Sequence, residues 1–220
     1  MSKALGQSQP GVILANRSDI HIIRKIWHMG MGLTALYIYT LLPYSTKEWG
    51  LAASVIAAVG LIVDLLRLKN SKFNDLMMKA GGIFYRKSEY NSLSGLPFYA
   101  LGCGMSLYFF EEKIALLSVL FLVFADPISS YFGVRYGKDK ILPNKSLQGT
   151  MAGFCVCYIL ALVWGLYHSG SSLNLLGFSL LAGAVGAISE LLSVFIDDNL
   201  TIPVVSGLGL TLLNLLFHIF

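Results

Sequence analysis

The chain has 220 residues, of which 55 % are hydrophobic and only 13 % charged, with a formal charge of +4 and a mean hydropathy of +0.68. Globular chains carry about 25 % charged residues, so this composition excludes a soluble globular domain. A helix crossing hydrocarbon needs about 20 apolar residues, and seven segments qualify: roughly 26–43, 49–68, 96–110, 114–132, 151–168, 173–195 and 201–219. Backbone groups in lipid must be satisfied within the segment, which makes these helices. The alternating strands of a membrane barrel are absent. The expectation is an all-α polytopic membrane protein with about seven transmembrane helices, an interfacial helix and short cytosolic loops. It forms one membrane domain over residues 1–220 without tandem repeats.

The first nineteen residues are polar and lack the apolar stretch of a signal peptide. The first span opens with Arg24-Lys25-Ile26-Trp27-His28. Arg24 and His28, four apart, share a helix face; the plainer reading is a basic flank with an interfacial Trp. Asp64 and Arg67, three apart at the end of the second span, suit a structural pair within one helix. Residues 69–95 are too long for a hairpin. Phe73, Leu76, Met77, Ala80, Ile83 and Phe84 follow helical spacing with Lys72, Lys79, Arg86 and Lys87 between or beyond them. That pattern suits a helix lying in the membrane interface, bent or ended early by Gly81-Gly82.

Asp126 lies deep in the fourth span, in Leu120-Phe121-Leu122-Val123-Phe124-Ala125-Asp126-Pro127. An intramembrane carboxylate costs about 2.5–3.5 kcal/mol on insertion scales, so it is either tied to a cation or kept for chemistry. Pro127 frees backbone groups at this level. Gly133, two turns along the same face, lets a backbone approach closely. The loop 133–150 carries Arg135, Lys138, Lys140 and Lys145. Gly133–Asp139 is not a Walker A loop, being a residue short with Asp where the magnesium-binding Ser or Thr belongs. Its last part is more informative. Lys145 supplies a point charge for phosphate; Ser146, Gly149 and Thr150 offer hydroxyls and bare backbone. Thr150 suits the cap of a span beginning at Met151, and helix N-termini bind anions. A basic juxtamembrane loop with a Thr cap is the alternative.

Cys103, Cys155 and Cys157 lie inside apolar spans, the last two pointing in different directions, and behave as small hydrophobes. Near the last turn stand Glu190, Asp197, Asp198 and Asn199, closed by Pro203. Glu190 and Asp197 are two turns apart and would share a helix face. Magnesium takes oxygen ligands, commonly one or two carboxylates plus substrate phosphates.

Fourteen of the sixteen Lys and Arg residues fall on one side of this arrangement, with Lys47 and Lys113 on the other. The positive-inside rule then places the N-terminus in the cytosol and the C-terminus outside. The net charge reflects topology and anionic lipid rather than nucleic acid.

Taken together and in order, these pieces resemble the CTP-dependent lipid kinases: yeast-type diacylglycerol kinase, with dolichol and phytol kinases as more distant relatives. The pieces are Arg24–His28, Leu36–Thr40, Asp64–Leu68 with Phe73-Asn74, Arg86–Glu89, Asp126 with Gly133 and Tyr136-Gly137, Asn144–Thr150, Ser189-Glu190, and Asp197–Pro203. The resemblance covers about residues 22–210. It implies phosphoryl transfer from CTP to a lipid hydroxyl, most closely diacylglycerol to phosphatidate. It places the functional core at Arg24, Lys25, Asp126 and Gly133. Lys145, Ser146, Gly149 and Thr150, with Arg135 and Lys138, would bind nucleotide. Asp126, Asp197 and Asp198 would hold Mg2+ or Ca2+. His28, Asp64, Arg67, Glu190 and Asn199 would be secondary. The membrane would be the inner membrane of a bacterium or the endoplasmic reticulum of a eukaryote. Thr150 stands where the family commonly has Ser, and Pro127 follows the key Asp where some members have Thr. The alternatives are a polyprenol, dolichol or phytol kinase, a phosphatidate cytidylyltransferase and a small transporter. Oligomeric state is not legible.

Overall fold

A computed structural model describes residues 22–220. The N-terminal arm, with Lys3, Arg17 and the signal-peptide reading, lies outside the described residues, as does the side chain of Ile83.

All seven apolar segments are helical. They are α1 (Ile22–Leu41), α2 (Thr46–Lys69), α4 (Gly95–Phe109), α5 (Glu112–Leu120) running on into α6 (Asp126–Tyr136), α7 (Leu147–Ser169), α8 (Leu173–Leu192) and α9 (Asp198–Phe217). Five of these units are long and apolar enough to cross a membrane: α2, α5–α6, α7, α8 and α9. The chain is a multi-pass integral membrane protein. The other two expected spans fall short of that measure among the described residues. α1 carries Arg24, Lys25 and His28 in its first two turns, and α4 has 15 residues, only about 22 Å of helix.

The amphipathic helix α3 (Ser71–Gly81) follows α2, capped by the Asn70 side chain on the Phe73 N–H. It stops at Gly82, whose φ of 42° suits a residue without Cβ. Its packed face differs from the apolar pattern. Asn74 and Met78 are buried, while Leu76 is 62 % exposed. The reason is Arg67, fully buried beneath it and requiring acceptors: Arg67 donates to Asp64 Oδ1 (2.6 Å), Asn74 Oδ1 (3.0 Å), Glu89 O (2.7 Å) and Ser92 O (2.7 Å). The second Asp64 oxygen accepts the Ser94 N–H at 2.6 Å. The expected Asp64–Arg67 pair is therefore the hub of a buried network, which satisfies the rule that buried charges must be paired.

The unit α5–α6 is the axis of the bundle and the most buried span. Residues Phe121–Ala125 form a π turn immediately before Asp126-Pro127. Pro127 has no N–H to give to the preceding turn, and a wider turn absorbs that defect. Two carbonyls at the break are taken up by α1: His28 Nε2 donates to Leu122 O (3.1 Å) and Lys25 Nζ to Pro127 O (3.1 Å).

The loop expected over 133–150 contains a small antiparallel ribbon, β1 (Lys140–Leu142) with β2 (Lys145–Ser146), turning at Pro143-Asn144. It feeds straight into α7, which begins at Leu147 rather than Met151. Ser146, not Thr150, is the cap: its Oγ accepts the Gly149 N–H at 3.3 Å. The α6–α7 crossing is close, with Gly133 facing Gly149, as small residues permit in membrane interfaces.

Candidate active site

At the end of the bundle where α6, the ribbon and α7 meet lies a cavity of about 610 Å³. Its wall includes Asp126, Gly133, Lys145, Ser146, Gly149, Glu190 and Asp198, seven of the residues singled out in the sequence. The N-terminus of α7 opens into it, so backbone N–H groups and the helix dipole favour an anion.

Asp126 is placed here by the π turn and Pro127. Its carboxylate makes no hydrogen bond or ion pair with any described residue. It lies within electrostatic reach of Asp198, His28, Lys145 and Lys25. Asp198 shares the cavity wall with it.

Lys145 is held by Glu190, with Nζ 2.9 Å from Oε1. Glu190 also accepts Ser129 Oγ at 3.2 Å and Thr150 Oγ1 at 3.4 Å. Glu190, on α8, thus finds its cation 45 residues away in sequence. Nor do Glu190 and Asp197 share a helix face, because α8 ends at Leu192 and Asp197 caps α9.

Asp197 faces a different space. Its Oδ1 accepts both the N–H (3.0 Å) and the side-chain amide (2.8 Å) of Asn199. Burial, and then the neighbouring Asp198, push its carboxyl up to about 6. It lines an apolar groove of about 640 Å³ with Leu65, Leu68, Phe98, Phe195 and Ile196. Groove and cavity share Ser193, Val194 and Asp198.

The remaining sequence candidates lie outside the cavity wall. Arg24 donates to Phe84 O (3.1 Å) and Glu89 Oε1 (3.2 Å). Lys25 donates to Ser130 Oγ at 2.6 Å as well as to Pro127 O. His28 packs edge-on against Tyr99. Arg135 and Lys138 are exposed, and Thr150 and Asn199 are buried. Cys155 is exposed and Cys157 buried, on different faces as expected.

Arg86, Lys140 and Asn144, noted in the sequence but given no site role, also line the cavity, as does Ser193, which sequence reasoning missed. For Arg86 a signal existed: Glu89 follows it by three, the spacing of a capping box, and its carboxylate does accept the Arg86 N–H.

Magnesium, implied by the resemblance, suits this donor set better than calcium. Among the described residues no group of three or more His, Cys, Asp or Glu converges to cage an ion. Of the three carboxylates in the wall, Glu190 is taken up by Lys145, Ser129 and Thr150, which leaves Asp126 and Asp198. Calcium takes about six to eight oxygens, whereas magnesium commonly binds one or two carboxylates and completes its shell with water and substrate phosphate.

A model of the cytidylyltransferase family matches residues 16–196. The chain is 35 % identical to CTP-dependent diacylglycerol kinase 1 of Saccharomyces cerevisiae, over 85 % of this chain and 71 % of that protein. It is 36 % identical to the protein of the same name from Schizosaccharomyces pombe, over 66 % of this chain and 71 % of that one. It is 27 % identical to a probable chloroplastic phytol kinase 3 of Glycine max, over 86 % of this chain and 61 % of the relative. No solved structure matches. With motif order, fold and these relatives in agreement, the chain belongs to the cytidylyltransferase family, among its CTP-dependent diacylglycerol-kinase-like members.

Proposed function

We propose that this protein transfers the γ-phosphoryl group of CTP to a lipid hydroxyl, with diacylglycerol as acceptor and phosphatidate and CDP as products. The observation that carries this reading is the joining of two unlike spaces. A polar cavity with cations, a helix N-terminus and three carboxylates meets an apolar groove at Ser193, Val194 and Asp198. A nucleotide triphosphate suits the first, and acyl chains suit the second. Only the acceptor's hydroxyl need cross between them.

Catalysis of phosphoryl transfer is mainly positioning and charge neutralisation. Lys145, steadied by Glu190, and the α7 N-terminus at Ser146–Gly149 hold the phosphates. Asp126 and Asp198 would hold magnesium, which would neutralise phosphate charge. Asp197 stays on the groove side as the cap of α9. Lys25 and His28 keep the π turn, and with it Asp126, in place. The acceptor hydroxyl oxygen attacks the γ-phosphorus, the bond to the β–γ bridging oxygen breaks, CDP leaves, and the hydroxyl proton is released to solvent.

All seven helical units span or enter the bilayer in this reading, with α1 and α4 completing the bundle. α3 lies at the surface with Leu76 towards lipid. The cavity and its basic loops face the cytosol, as the positive-inside rule requires. Phytol or a polyprenol would enter by the same groove, and the kinship to a phytol kinase keeps those acceptors in the assay. Purified protein with labelled CTP and a panel of lipid alcohols tests the reading: phosphatidate with CDP supports it, and release of pyrophosphate instead would replace it with cytidylyl transfer.

A further inference from the structure

Arg86 reaches the cavity from a segment with no long helix to hold it. Gly82–Phe84 and Lys87–Tyr90 are single 3-10 turns, joined at Tyr85 and Arg86. Four residues around Arg86 are pinned: Phe84, Tyr85, Glu89 and Tyr90. Phe84 stacks on Trp27 of α1, with ring centroids 4.7 Å apart, and its carbonyl takes Arg24 Nη1. The Tyr85 ring lies under the Arg67 guanidinium, 5.7 Å from the centroid. Glu89, buried, divides its carboxylate: Oε2 accepts the Arg86 N–H at 2.9 Å, and Oε1 accepts Arg24 Nη2 at 3.2 Å. The Glu89 carbonyl is tied to Arg67, and the Tyr90 carbonyl takes Asn74 Nδ2 at 2.9 Å.

Buried charges are costly, and apolar residues would hold a turn more cheaply. Here Arg24, Glu89, Arg67 and Asp64 are all spent on one short strap. The guanidinium of Arg86 makes no hydrogen bond or ion pair with any described residue. It lines the cavity together with Lys145 and Ser146. A guanidinium fork suits two parallel bonds to a phosphate.

We propose that Arg86 contacts a phosphate oxyanion of the nucleotide, and that Glu89 and Arg24 are positioning residues acting through it. This rests on the CTP-dependent reading above. It explains how Arg24, which stays outside the cavity wall, bears on chemistry inside it. Arg24 bridges two acceptors, Phe84 O and Glu89, which the single ammonium of a lysine cannot reproduce in the same geometry.

The test is equilibrium binding of labelled CTP to the purified full chain, beside steady-state kinetics with dioctanoylglycerol. Arg86→Ala should weaken CTP binding by about 10- to 100-fold, the range of a lost charge-assisted hydrogen bond or two. The KM for dioctanoylglycerol should stay within about twofold, and Arg86→Lys should recover part of the loss. Arg24→Lys and Glu89→Gln should each weaken CTP binding by less, and neither should add to Arg86→Ala in a double variant. Normal CTP binding by Arg86→Ala would overturn the proposal, as would equal loss for both substrates or multiplicative losses in the doubles. Should Arg24→Lys fail to fold, Glu89→Gln carries the same cycle. Wild type that binds CTP yet phosphorylates no lipid would remove the kinase reading and leave Arg86 in place. Phosphorylation with normal CTP binding by Arg86→Ala would do the reverse.

Discussion

Gly133→Ala and Gly149→Ala add the same methyl group to one helix crossing, and the structure separates their consequences. At Gly133 the new Cβ would stand 3.3 Å from Ser146 Oγ and 3.7 Å from Gly149 Cα. Only a hydroxyl must give way, and it is the hydroxyl that caps α7. Alanine gains about 1 kcal/mol over glycine in a helix, and a lost cap costs about 1 kcal/mol, so stability changes little. The α7 N-terminus in the cavity wall, however, is disturbed. At Gly149 the Cβ would stand 2.8 Å from Ser129 O and 3.0 Å from Gly133 Cα. Those are backbone atoms of another helix and cannot turn aside. Overpacking of this kind costs about 1–3 kcal/mol, equivalent to a fall of roughly 2–12 °C in Tm for a chain of this size. Thermal unfolding in detergent, measured beside CTP turnover, reads both. Gly133→Ala should keep its Tm within about 2 °C and lose at least about tenfold in kcat/KM for CTP. Gly149→Ala should lose Tm. Equal Tm losses for the two variants, or an unchanged Tm for Gly149→Ala, would refute the reasoning.

Asp126→Asn and Asp198→Asn should each lower turnover by about 10²–10³-fold or more, while Asp197→Asn, which can still cap α9, should stay active; inactivity of Asp197→Asn would move the metal site into the groove. Lys145→Ala should raise the KM for CTP much more than that for lipid. Glu190→Gln should do so more weakly and add nothing to Lys145→Ala, which a double-mutant cycle reads. Single cysteines at positions 87 and 140 should resist labelling from outside intact cells while one at position 112 is reached; labelling of position 140 from outside would invert the topology.

What was legible in the sequence is what depends on near neighbours. Apolar runs marked the helices, and the cost of a carboxylate in lipid marked Asp126. Arg67 and Asp64 lie three apart on one helix, so their pairing was visible. Long-range partners were not. Glu190 finds Lys145 across 45 positions, and no local spacing announces that. Asn74 turned inward against the apolar pattern because Arg67, buried below it, needed an oxygen. The start of α7 was misplaced because Ser146 and Thr150 are both competent caps, and only the ribbon decides between them. The π turn before Pro127 has no sequence period of its own. The span count suffered similarly: α1 and α4 are helices where helices were expected, but length and charge keep them from qualifying as spans on composition alone.

The proposed reaction moves the γ-phosphoryl group of CTP to a lipid hydroxyl at this cavity. The most direct test supplies the purified protein with magnesium, diacylglycerol and either γ-labelled or α-labelled CTP, then separates lipid from water-soluble products. The γ-label should appear in phosphatidate and the α-label in CDP. Phosphatidate supplied in place of diacylglycerol should give no α-labelled lipid. Transfer of the α-label into a CDP-lipid with release of pyrophosphate would rule out the kinase reaction.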